Sequence, residues 1–255
     1  MKTLIFTNQK GGVGKTTTTL STGAALARMG YKVLLVGMDP QGHLATACGA
    51  VPDESEPTVY EVITGRATAG EAIVTAPGGY DILPADVRLL HAEIELLNAP
   101  GRDMILKQAL APVADLYDFA LVDAPPALNV LALMGLTAAD GVIIVLAADY
   151  LALEGVAQLL ETVDLVKQRL NPELQVTGAL ITFYKPNTKL SREVLDMTRA
   201  GLPGLVFKTQ IGTYTALAEA PGLHCDIFDY KPASKAKQAR EQYEAFAKEL
   251  IKRTK

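Results

Sequence analysis

Residues 8–19 read NQKGGVGKTTTT, between a short apolar run, KTLIFT, and a stretch of helical spacing that Gly30 closes, KTTTTLSTGAALARMG. A glycine loop that leaves a strand and opens a helix constrains the fold more than any other part of the chain. Glycines let the backbone approach an anion, and successive N–H groups with the helix N-terminus form a positive cradle. Gly11, Gly12, Val13 and Gly14 would supply that cradle, continued by Thr17. Lys15 is spaced to reach β- and γ-phosphates, and the Thr16 hydroxyl to bind Mg²⁺. The common phosphate-loop pattern would place its first glycine at position 9, which is Gln9, and instead Lys10 precedes the double glycine. A lysine there points its charge away from its own cradle or across it. It can therefore serve a phosphate bound by another copy.

Further along, KTLIF, YKVLLV, YDILP, FALVD, GVIIVLA and LQVTGALI read as strands, each a brief apolar stretch bounded by turn residues. Residues 15–29, 86–97, 102–111, 151–169 and 190–200 have helical spacing. Near-continuous apolar strands alternating with helices predict an α/β fold, one doubly wound, mostly parallel sheet with helices on both faces. Residues 49–57, GAVPDESEP, form a polar loop too short to separate domains, so 1–255 is expected to be a single domain. Open sheets of this kind bind ligands at the carboxyl ends of their strands. Asp39 and Asp123 both fall there. Asp39 could orient water for attack on a γ-phosphate and approach the metal, and Asp123 could hold the Mg²⁺ water shell. Gln41 and Gly42 lie in a loop that could register the γ-phosphate.

The net charge of −4 gives no overall electrostatic case for nucleic acid. Its distribution differs from the sum, because residues 231–255 carry eight basic side chains against three acidic ones. Cys48 and Cys225 are far apart without metal-ligand spacing, which argues against a disulfide framework or zinc site and for a reducing cytosol. No apolar run approaches the roughly 18 residues of a membrane span. A cytoplasmic protein is expected.

KGGVGKTTT resembles the deviant Walker A motif of the ParA/MinD family of dimeric ATPases. KVLLVGMDPQGH at 32–43 is similar to that family's switch segment and YDFALVDAPPAL at 117–128 to its Walker B segment. Residues 148–184 and LAEAPG at 217–222 are similar to ParA-type partition ATPases in particular. The resemblance implies ATP and Mg²⁺ as cofactors, slow hydrolysis with Lys10, Lys15 and Asp39 as catalytic residues, and adenine contacts from Phe183, Tyr184 and the segment before LAEAPG. It also implies an ATP-dependent homodimer with Lys10 acting in trans, a ParB-like activator, and non-specific DNA binding at a nucleoid surface. The cargo would be a chromosome or plasmid. A protein cargo such as a chemoreceptor array or carboxysome, a MinD-like membrane-surface role, and an ATP-locked scaffold stay open.

Several positions depart from the family's pattern. Gly37 replaces a common aspartate, as it does in nitrogenase iron-protein relatives, and His43 replaces an asparagine. Where relatives place arginines for DNA phosphates, this chain has Asn187, Thr213 and Ala216. The remaining basic candidates are Lys185, Lys189, Lys231, Lys235, Lys237 and Arg240. Tyr243, Phe246, Ala247, Leu250 and Ile251 give the last helix one apolar face, expected to pack on the sheet rather than on a membrane.

Overall fold

The structure, a computed structural model, describes residues 1–150 and 152–255. Eight strands form one sheet: β1 (Lys2–Thr7), β2 (Val33–Gly37), β3 (Val74–Thr75), β4 (Asp81–Leu83), β5 (Phe119–Asp123), β6 (Gly141–Ala147), β7 (Gln175–Tyr184) and β8 (Val206–Gly212). Their order is β3-β4-β2-β5-β1-β6-β7-β8. All neighbours are parallel except the short β3, which pairs antiparallel with β4. The six anticipated strands are present. β3 and β8 are additional, both at sheet edges, where a strand has less need of a continuous apolar run.

Alternation along the strands feeds two cores. Leu4, Phe6, Leu35, Leu121, Ile143 and Leu180 face one layer, and Ile5, Leu34, Val36, Val122, Ile144 and Ile181 face the other. The first layer is closed by α1 (Lys15–Arg28), α2 (His43–Cys48), α10 (Thr215–Glu219) and α11 (Ala233–Thr254). The second is closed by α3 (Val59–Ile63), α4 (Ala69–Ala72), α5 (Leu89–Glu95), α6 (Ile105–Leu110), α7 (Val130–Ala138), α8 (Val156–Arg169) and α9 (Lys189–Gly201). Burial on both faces is why these strands read as unbroken apolar runs.

The helix expected over 151–169 begins at Val156; its first position, 151, lies outside the described residues. The helix α7 was not anticipated, because VLALMGLTA is apolar all round and shows no amphipathic period. Its Gly135 lies against β1, where a Cβ would come 2.8 Å from Ile5 Cδ1. The apolar face of α11 is occupied by the protein: Tyr243, Phe246, Ala247 and Leu250 are buried, and Phe246 meets Phe207 of β8 edge-on at 4.8 Å. Among the described residues no helix is long and apolar enough to cross a membrane.

Candidate nucleotide site

The site is built at the carboxyl ends of β1, β2, β5 and β7. Asn8, directly after β1, is buried and pins the start of the glycine loop. Its Nδ2 donates to Val145 O at 2.6 Å, and its Oδ1 accepts from Lys10 N at 2.9 Å. Gly12 and Gly14 take left-handed backbone, φ 73° and 87°, which a side chain would strain. Gly14 opens α1 with no side-chain cap and no acidic residue in the first turn. The first N–H groups of α1 therefore face the loop's hollow without an internal partner, the arrangement an anion completes. Thr182, near the end of β7, donates its hydroxyl to Val13 O at 2.8 Å and ties the far side of the loop to the sheet.

Lys15 is buried and arches back over the loop, donating to Lys10 O at 3.2 Å. Burial lowers its pKa, opposed by the charges of Asp123 and then Asp39. Asp123, the last residue of β5, is fully buried, and neither carboxylate oxygen has a hydrogen-bond partner of normal geometry. Burial pushes it up to about 7; the nearby Thr16 hydroxyl works against that rise, and Asp39 adds to it. A buried carboxylate without partners is costly. A cation beside it removes that cost, so Asp123 and Thr16 fit Mg²⁺.

Asp39 lies two residues beyond β2 and is half-buried. Its Oδ1 accepts from Gln41 N at 3.0 Å while its carbonyl accepts from Gly42 N, which fixes a tight turn toward α2. Gly37 pairs in register with Asp123. A Cβ on Gly37 would meet Ala85 Cβ at 3.0 Å, and one on Gly42 would meet Ala85 O at 2.8 Å. The loop between β4 and α5 thus presses directly on the Asp39 turn.

Lys10 stands apart from this cluster. Its Nζ pairs with Asp149 at 2.7 Å, and the two side chains are 35% and 44% exposed. Phe183 has φ 52° and borders a cavity of about 340 Å³ with Gly14, Thr17, Tyr214, Leu217 and Tyr243. Tyr184 is not in that cavity; it lines the adjoining groove with Lys185, Asn187 and Gln242. Side chains alternate along β7, so the expected Phe183–Tyr184 pair is split between two hollows. Tyr243 at the cavity wall reaches Thr18 hydroxyl-to-hydroxyl at 3.3 Å. Sequence reading assigned it to the core alone. Asn8 and Asp149 were also missed: their partners are 137 and 139 residues away, which no local spacing reports.

The basic candidates are not equally exposed. Lys185 and Lys189 are exposed, the second beside Glu193 at 3.3 Å, and Lys231, Lys235 and Lys237 are exposed around the start of α11. Arg240 departs from the expectation. Its guanidinium donates to Ile227 O at 2.9 Å and Tyr230 O at 2.7 Å, so it is spent on capping backbone rather than offered to phosphates.

An AAA domain family model, AAA_31, matches residues 1–176. The sporulation initiation inhibitor protein Soj of Bacillus subtilis is 40% identical over 98% of both chains. The chromosome-partitioning ATPase Soj of Treponema pallidum is 41% identical over 99% of this chain and 98% of its own. The chain belongs to the ParA-type family of partition ATPases. As a ParA-type ATPase it also resembles a solved structure described as cobyrinic acid a,c-diamide synthase from Mycobacterium smegmatis, with a bound ATP analogue and magnesium. That structure is 39% identical with a TM-score of 0.85, over 99% of this chain and 95% of that one.

Proposed function

We propose that this ParA-type ATPase is an ATP-driven dimerisation switch that positions a replicon along nucleoid DNA in the cytoplasm, reset by a ParB-like activator. The observation that carries the reading is Lys10: a loop lysine outside its own cradle, partly exposed, held by a surface carboxylate. The backbone of the loop and Lys15 bind the phosphates of ATP, and Asp39 orients the attacking water. Asp123 and Thr16 would hold Mg²⁺, which would supply positive charge against that of the phosphates. Lys10 of each copy crosses to the other copy's phosphates, so closure requires ATP in both. Light scattering with ATP and Mg²⁺ should give a dimer, and ADP a monomer. A monomer in both would defeat the reading.

Asp123 gives this site a pH signature. Its folded pKa is raised from 3.8 to about 7, so between those values the folded protein holds a proton that the unfolded chain has lost. The stability of the metal-free fold is full below that window, falls as pH rises through it, and levels off above about 7. Mg²⁺–ADP should therefore raise the melting temperature more at pH 8 than at pH 6. Asp123→Asn should abolish that difference; a pH-independent gain in the native protein would show that the metal lies elsewhere.

The DNA contacts we assign to Lys235 and Lys237 with Lys231 and Lys185. Lys235 stands in the first turn of α11 and Lys237 just beyond it, at the end where the helix dipole disfavours cations, so helix stability does not explain them. Each neutralised phosphate contributes about 0.9 to the salt slope, and a dimer doubles the count. With Asn187, Thr213 and Ala216 in place of arginines, binding should be weak and fade near physiological salt. The double reversal Lys235→Glu, Lys237→Glu should abolish ATP-dependent co-sedimentation with DNA and leave ATP affinity intact. Retained DNA binding would move the contact to another face.

The Mycobacterium smegmatis structure's name suggests amide synthesis as a second reading. Burial pushes the Cys48 thiol up to about 12 and raises Cys225 too, so neither is activated for releasing ammonia from glutamine. Phosphate release from ATP should be indifferent to added glutamine; a strict dependence would favour the synthase.

A further inference from the structure

The helix α5 and the turns that flank it bury Leu89, Ala92 and Leu96 and present a second apolar row to solvent. Val87 is 65% exposed, Leu90 48%, Ile94 77% and Leu97 60%. Their spacing is three, four, three, the a–d repeat of a helix that packs along another helix. Backbone bonds Leu90 N to Val87 O and Leu97 N to Ile94 O carry the helical path through both flanking turns, so the four form one stripe about 15 Å long. Single exposed apolar residues are ordinary, but an aligned row of four marks a contact surface.

Charge around the stripe says what chemistry fits it. The nearby arginines are paired with this chain's own carboxylates: Arg88 with Asp86 and Glu61, Arg66 with Glu95, and Arg102, which also donates to Leu97 O, with Asp103 at 3.9 Å. Glu93 flanks the row and accepts a hydrogen bond from Asn129. Arg88 also donates to Glu56 O, which brings the loop bearing Asp53, Glu54 and Glu56 against the start of α5. An apolar seam with an acidic rim selects a partner with the opposite rim. Nucleic acid would meet repulsion here, and a second copy would bring acidic flank to acidic flank.

We propose that the exposed face of α5 docks an amphipathic helix of another protein, apolar at heptad spacing and lysine- or arginine-rich along its flanks. The stripe is exposed in the single chain, so its binding can be measured without ATP. The probe is a fluorescein-labelled synthetic peptide of three heptads, leucine at a and d and lysine at e and g, titrated with the full chain by fluorescence anisotropy. Binding should weaken at least about tenfold for Ile94→Glu, whose side chain lies in solvent and is not needed for folding, and similarly for Leu90→Ser. A peptide with the same leucines and glutamate at e and g should bind at least about tenfold more weakly than the lysine peptide. Equal binding to native and Ile94→Glu protein, or equal binding of the two peptides, would overturn the proposal. So would nucleotide-free self-association that Ile94→Glu abolishes, which would give the face to a second copy.

Discussion

Asp39→Ala should slow ATP hydrolysis by roughly 10²–10⁴-fold while ATP and Mg²⁺ stay bound. The reason is a division of labour among the charged groups at the strand ends. Lys15 is buried and turned into the loop, and Asp123 is fully buried with oxygens suited to the metal side. Asp39 is the half-buried member, fixed by Gln41 N at 3.0 Å on the turn that ends β2, and it shares the electrostatic field of the other two. In the proposed function it is the carboxylate that meets both water and phosphate. Asp39→Asn keeps an acceptor for Gln41 N and loses the charge, so it should be about as slow as the alanine variant, with the ATP-bound dimer accumulating in both. Phosphate release and light scattering on the same samples decide this. Turnover at the native rate would leave Asp39 as a turn-forming residue.

Lys10→Ala should bind nucleotide as the native chain does and fail to dimerise with ATP, with hydrolysis lost as a consequence. The Lys10–Asp149 pair is partly exposed on both sides, and pairs of that kind contribute about 0–1 kcal/mol. A triphosphate on a facing copy offers far more charge, so the lysine is held loosely enough to be exchanged. Asp149→Ala should then dimerise at least as readily as the native protein. Calorimetry for nucleotide affinity, with light scattering for mass, separates the two effects. A normal ATP-bound dimer of Lys10→Ala would show that the lysine serves its own loop.

The phosphate loop was legible in the sequence because its requirements are local: left-handed glycines at 12 and 14, then an uncapped helix start. The six inner strands were legible because burial on both faces demands apolar residues without interruption. Edge strand β8 was not, since Lys208, Thr209 and Gln210 interrupt its apolar pattern and Glu249 of α11 accepts hydrogen bonds from the first two. Asp123 was recognisable as a strand-end carboxylate, yet its lack of partners depends on what packs around it. Phe183 and Tyr184 looked like one pair in sequence and face two hollows in space. Arg240 counted as a surface charge until the carbonyls of Ile227 and Tyr230 were seen beside it.

The two cores on either side of the sheet also separate what selection can alter independently. The layer of α1, α2, α10 and α11 holds the cavity beside Phe183 and the exposed lysines of α11, and the layer of α3 to α9 holds the apolar stripe. Adjacent strand residues such as Leu4 and Ile5 answer to different layers, so drift in one leaves the packing of the other largely untouched. A lineage could exchange its protein partner by rewriting α5 while inheriting the ATP site unchanged. The contact of Ala85 with Gly37 and Gly42 sets the boundary of that freedom, because there a change of partner surface reaches the Asp39 turn.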